Sequence, residues 1–155
     1  MSQVNRIKGG LVNQKKSLSF TFNGQILTGY EGDTLASALL ANNKKLVGRS
    51  FKYHRPRGIV TAGSEEPNAI MEIGNGAYKD PNTRATSTEL YNGLEANSQN
   101  HRGPLGFDLM AITDFLSPLL GAGFYYKTFM WPKAFWEKFY EPAIRNAAGL
   151  GTLST

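Results

Sequence analysis

Arg49, Lys52, His54, Arg55 and Arg57 fall within nine positions of one another in the stretch VGRSFKYHRPRG, residues 47–58. From Lys44 to Arg57 there are six Lys or Arg residues and no acid, while the whole chain of 155 residues carries +5, so everything outside that window sums to about −1. Pro56 stiffens the backbone between two arginines, and Gly58 lets it turn. A stiff arginine fork suits a phosphate or a carboxylate. Phe51 and Tyr53 alternate with Lys52 and His54, which on extended backbone puts the aromatics on one face and the basic groups on the other. The residues alone leave three readings open: a solvated face pinned to the core by its aromatics, an anchor for a partner protein, or a seat for a cofactor phosphate. Arg49, Lys52, Tyr53, His54, Arg55 and Arg57 are the candidate docking or cofactor-binding residues.

Other chemistry finds little to work with. The chain has no cysteine, which excludes disulfides, thiolate catalysis and any thiolate-held cluster. His54 and His101 are the two histidines, and neither stands at metal-ligand spacing from an acid or from the other. No metal site and no catalytic residue is assigned. Glu65 and Glu66 are neighbours whose side chains point apart on extended backbone, so they are not an obvious acid–base pair. There is no nucleophile elbow, no phosphate-binding P-loop and no strand–Gly-x-Gly-x-x-Gly–helix context.

The elements around the basic stretch follow from periodicity. Residues 17–22 alternate Leu18, Phe20 and Phe22 against Ser19 and Thr21, as a half-buried strand does. Asn23-Gly24 signals a hairpin, and residues 25–30 return. A helix over 34–41 buries Leu35, Ala36, Ala38 and Leu39; Asp33 is its expected N-cap, and Asn42-Asn43 ends it. Short strands follow at 46–50 and 69–73. Residues 74–76 and 79–82 read as turns, 84–90 as a Thr-rich strand, and Asn92-Gly93 as a second hairpin. Strand, hairpin, strand, helix, loop and further strands give an α+β domain of β-grasp type, packed on one helix. Residues 1–16 read as a flexible arm, 17–97 as the domain and 98–106 as a linker. An aromatic-rich helical extension over 107–151 carries helices near 107–116 and 133–148. Its aromatics either fold back over the sheet or dock on a second domain or subunit. The composition is that of a soluble globular protein of one domain, with no transmembrane run and no secretory signal. Cytoplasmic location is the expectation. The positive charge is too local to argue for nucleic acid.

GDTLASALLAN at 32–42, LVGRSFKYHRPRGIVTAGSEEPNA at 46–69, PNTRAT at 81–86 and GFYYKTFMWP at 123–132 resemble the N-terminal part of the α subunit of heterotetrameric sarcosine oxidases. The resemblance runs from about residue 17 to 151. It implies a two-iron two-sulfur ferredoxin-like fold that has lost its cluster. In related subunits SxKYxRPRG is followed by cysteines spaced C-x₄-C-x₂-C, the plant-ferredoxin spacing. Aligned on RPRG, those positions fall on Thr61, Glu66 and Ala69, and a fourth falls on Thr86. The resemblance further implies an enzyme that demethylates sarcosine to glycine, reduces oxygen to peroxide and passes the one-carbon unit to tetrahydrofolate. FAD, FMN and NAD would belong to that whole enzyme rather than to this chain. The partners would be the β, γ and δ subunits and the rest of the α subunit. Residues 152–155 would then begin a linker to a Rossmann domain.

Overall fold

A computed structural model describes residues 3–7, 9–118 and 133–143. Strand β1 (Asn13–Phe22) and strand β2 (Gln25–Glu31) form an antiparallel hairpin closed at Asn23-Gly24, where both residues have positive φ (50° and 75°). Both central positions of a type I′ turn need that conformation, which is why Asn-Gly marks it. Helix α1 (Leu35–Ala41) follows, then β3 (Gly48–Arg49), β4 (Pro56–Arg57), β5 (Ile70–Ile73), β6 (Asp80–Arg84), β7 (Glu95–Ser98) and the short helix α2 (Ile112–Phe115). Five strands make one mixed sheet in the order β2-β1-β7-β5-β6, while β3 and β4 pair separately. β7 runs parallel to β1 in the centre and antiparallel to β5.

The α1 face packs on this sheet. Leu35, Ala36, Ala38 and Leu39 join Phe20, Phe22, Leu27, Val47, Met71, Leu90 and Leu94 in one buried cluster. Each large apolar side chain so buried contributes about 1.5–3 kcal/mol. Gly29 sits where the helix comes closest: a Cβ there would lie 2.2 Å from Leu90 Cδ2 and 3.2 Å from Ala38 Cβ. The expected α+β arrangement and the buried face of α1 are both present.

Several local expectations are corrected. The N-cap of α1 is Thr34, whose Oγ1 accepts from Ser37 N at 3.2 Å while Ser37 Oγ accepts from Thr34 N at 3.0 Å. Asp33 instead turns inward and accepts both Nη1 and Nη2 of Arg6, at 2.7 and 2.6 Å, together with Ser37 Oγ and Tyr30 N. Burial would raise its pKa, but the Arg6, Ser37 and Tyr30 hydrogen bonds outweigh that and lower it. Arg6 also lies over the Tyr30 ring, and Asn5 N donates to Ala41 O. The described part of the arm is therefore tied down, and β1 begins at Asn13 rather than at residue 17. Residues 80–84, read partly as a turn, form β6, and 85–90 is not a strand. Gly93 does turn the chain (φ 82°), but into the central parallel strand rather than a hairpin. Within the expected extension, the first helix is a 3-10 turn (Leu109–Ala111) running into four-residue α2. In the second, Lys133–Phe135 is a 3-10 turn and Trp136–Tyr140 is π-helical. The motif at 123–132 and the ends at 144–155 lie outside the described residues.

Asp33→Ala should destabilise the chain by about 3 kcal/mol, because it strands the Arg6 guanidinium and frees Tyr30 N–H. The urea midpoint measures this, and amide exchange over 3–7 should accelerate with it.

Candidate docking site and degenerate cluster loop

The basic stretch is a β3–β4 hairpin. Val47 N donates to Arg57 O and Ser50 N to Arg55 O, and His54 N donates back to Ser50 O. His54 takes positive φ (53°) to close the turn, a conformation His adopts more readily than most residues. Gly58 lies so close to the segment entering the hairpin that a Cβ would stand 2.8 Å from Lys45 O. Because residues 51–53 turn, the alternation expected of extended backbone does not occur. Phe51 is exposed, and Lys52 Nζ and the Arg55 guanidinium both lie over the Tyr53 ring, at 4.9 and 4.8 Å. Tyr53 thus packs against two cations of its own loop.

Three of the basic residues grip the segment after the sheet. Arg49 donates from Nε and Nη2 to Leu105 O (3.1 and 2.9 Å), from Nη2 to Gly106 O and from Nη1 to His54 O. His54 Nδ1 lies 2.6 Å from Asp108 Oδ2. Asp108 is buried, which by itself raises its pKa; the N–H groups of Arg102 and Met110 and the His54 contact reverse the sign and lower it. Arg55 Nε meets Asp114 Oδ1 at 2.6 Å, with both side chains about half exposed. The end of the stretch expected as a linker, Leu105 and Gly106, is accordingly held. Arg57 is exposed, its guanidinium makes no hydrogen bond or ion pair among the described residues, and it lines a cavity of about 220 Å³ with Arg49, Phe51, Asn68, Asn82 and Asn100. Along and beyond the held segment Phe107, Leu109, Ile112 and Phe115 are 73, 68, 62 and 85% exposed.

The second half of the stretch, residues 60–69, closes on a single carboxylate. Glu66 is fully buried. Its Oε2 accepts from Val60 N (2.8 Å), Thr61 N (2.5 Å) and Thr61 Oγ1 (3.2 Å), and its Oε1 accepts from Asn68 N (2.8 Å) and Ala69 N (3.2 Å). Burial pushes the Glu66 carboxyl up, but the four backbone donors prevail and bring it down to about 2. Thr86 Oγ1 closes the loop from the neighbouring segment by donating to Gly63 O at 2.6 Å. Thus Thr61, Glu66 and Ala69 meet at one carboxylate, and Thr86 holds the rim. The motif alignment marks Glu66 only as the position of a lost ligand. Nothing local in SEEPN says that four N–H groups converge on it.

The family described as "2Fe-2S iron-sulfur cluster binding domain" matches residues 15–101. The chain belongs to this family. It is 64% identical over 154 residues to the sarcosine oxidase subunit alpha of Rhizobium meliloti (strain 1021), covering 99% of this chain and 16% of that protein. It is 40% identical over 100 residues to the subunit alpha of Corynebacterium sp. (strain U-96), covering 63% and 10% respectively. Among solved structures it resembles L-proline dehydrogenase from P. horikoshii, at 28% identity and a TM-score of 0.45 over 56% of this chain and 16% of that one. The chain is thus a homologue of a portion of sarcosine oxidase α subunits, and spans about a sixth or less of the length of these curated relatives.

The residues present do not fit a 2Fe–2S cluster. The chain offers no thiolate. Thr and Ala cannot ligate iron as cysteine does, and both oxygens of Glu66 are already engaged by backbone donors. Among the described residues no three His, Asp or Glu side chains gather where they could hold a metal ion.

Two outcomes follow. Glu66 has a folded pKa below its ordinary value of 4.5, so its contribution is fully present above pH 4.5 and is lost as pH falls toward 2. The stability gap between the native chain and Glu66→Gln should therefore shrink over that window in urea titrations. Arg49→Ala should release the linker, and limited trypsin digestion should then cut after the exposed Arg102 at least several-fold faster.

Proposed function

We propose that this chain is the N-terminal structural and docking module of a sarcosine oxidase α subunit. The observation that carries the reading is the exposure of four large apolar side chains, Phe107, Leu109, Ile112 and Phe115, on a segment the basic hairpin holds in place. Exposed apolar side chains on a fixed segment suit a protein partner, because their burial gains hydrophobic free energy without the cost of ordering the segment. The partners are the rest of the α subunit and the β, γ and δ subunits. The whole enzyme demethylates sarcosine oxidatively to glycine, forms hydrogen peroxide and transfers the one-carbon unit to tetrahydrofolate, with FAD, FMN and NAD held outside this module. Support comes from the names of the relatives and the 64% identity to one of them. The module itself has no catalytic residue and acts in the cytoplasm. No described helix is long and apolar enough to cross a membrane.

One observation favours a second reading. Arg57, without an ion pair among the described residues at a cavity lined by three asparagines, suits the phosphate of FMN or NAD in a related amine or opine dehydrogenase. Titration of the chain with the β subunit, FMN and NAD separates the two. The docking reading expects β-subunit binding that falls at least tenfold in Phe115→Asp with an unchanged Tm, and no sarcosine turnover by the chain alone. Flavin or nucleotide binding that disappears in Arg57→Ala, with no binding to the β subunit, would replace it with the second reading.

A further inference from the structure

We propose that residues 60–69 form a carboxylate-binding cradle which the chain fills from within, the Glu66 side chain serving as the fixed anion where other members of this family hold their cluster. The cradle is independent of the docking role. Four backbone N–H groups from both ends of the loop and one hydroxyl point at the two oxygens of one buried carboxylate. Convergent backbone N–H groups form an anion site whatever the anion is. An iron–sulfur cluster is such an anion, and its sulfurs accept hydrogen bonds. With no cysteine in the chain, the loop would keep its donors without an acceptor, and buried unpaired N–H groups are costly. The Glu66 carboxylate removes that problem by accepting from all four N–H groups.

The surrounding contacts preserve the cradle. Glu66 N donates to Gly63 O, Arg84 Nε donates to Glu66 O at 3.0 Å, and Thr86 Oγ1 donates to Gly63 O. Ala69 N–H bonds the carboxylate, while Ala69 O accepts from Ala85 N and so anchors the loop to the sheet. The loop lies at the surface: Ala62, Ser64, Glu65 and Pro67 are exposed around the buried Glu66. Removing the side chain therefore opens a site of known chemistry close to solvent, sized for one small carboxylate and made of neutral donors.

The test is rescue of the full chain by acetate. Glu66→Ala should lower Tm by roughly 10 °C. Acetate at about 0.1 M should then restore several degrees beyond the same concentration of chloride, and leave the native chain unmoved. Equal effects of acetate on both proteins, or none on the variant, would overturn the proposal. Should Glu66→Ala fail to fold, Glu66→Gln keeps the side-chain shape and the readout moves to amide exchange. Protection at Val60, Thr61, Asn68 and Ala69 should fall at least tenfold, with the β1–β2 hairpin unchanged. Native protection at those four amides in Glu66→Gln would show that the carboxylate charge does not organise the loop, and would sink the idea.

Discussion

Four peptide N–H groups around one buried carboxylate are the constraint on which the irregular half of this domain depends. Residues 60–69 contain no helix and no strand, so their backbone donors have no ladder to join. Where such donors turn in on a buried side chain, away from water, each must find an acceptor. Glu66 supplies both oxygens at the centre, and from there the consequences spread outward. Ala69 is delivered to the start of β5, Gly63 is presented to Thr86, and the hairpin preceding the loop is fixed at its exit. A loop built around a cluster and a loop built around a carboxylate solve one problem, the assembly of donors around concentrated negative charge. The second solution gives up redox chemistry and needs no metal supply.

The same device recurs at two other places where regular structure gives out. Asp33 is buried below the start of α1 and holds the chain's beginning through the two-pronged Arg6 contact. Asp108 is buried where the linker ends and holds the basic hairpin through His54 while capping the following 3-10 turn. Each acid joins segments far apart in sequence, and each is charged because its donors outweigh the loss of water. The apolar core sets the sheet and helix; these three carboxylates set how everything attached to them lies. The positive charge of the hairpin belongs to this scheme. Arg49, His54 and Arg55 turn inward on the molecule's own linker and first extension, which leaves Arg57 facing outward.

What could be read from the sequence divides along that line. The β1–β2 hairpin and the buried face of α1 were legible, because alternation, Asn-Gly and a helical period are local signals that the core reinforces. The swap between Asp33 and Thr34 was not, since both residues cap helices well and only a partner from the distant arm takes Asp33 away. β4 was hidden because Pro56 reads as a break, although its missing N–H costs nothing in a two-residue pairing. The Asn92-Gly93 turn was seen, but the strand after it was assigned the wrong neighbour, for pairing partners are not local information. The basic residues were singled out by their density alone. That three of them clasp residues 105–114 needed coordinates, and so did the donors around Glu66, whose position the motif alignment had already marked.

The central place of β7 carries a consequence for how the chain reaches this state. β1 and β2 can pair as soon as they are made, with a two-residue turn between them. The β1–β7 pairing joins Thr21 to Glu95 and Phe22 to Ala96, so the middle of the sheet stays open until nearly the whole domain has emerged. Contacts of such separation carry a large loop-closure entropy and slow the search. Until β7 arrives, the inner edges of β1 and β5 expose unpaired backbone, the usual template for wrong partners during synthesis. The last of the described strands to be translated is thus the keystone of the sheet.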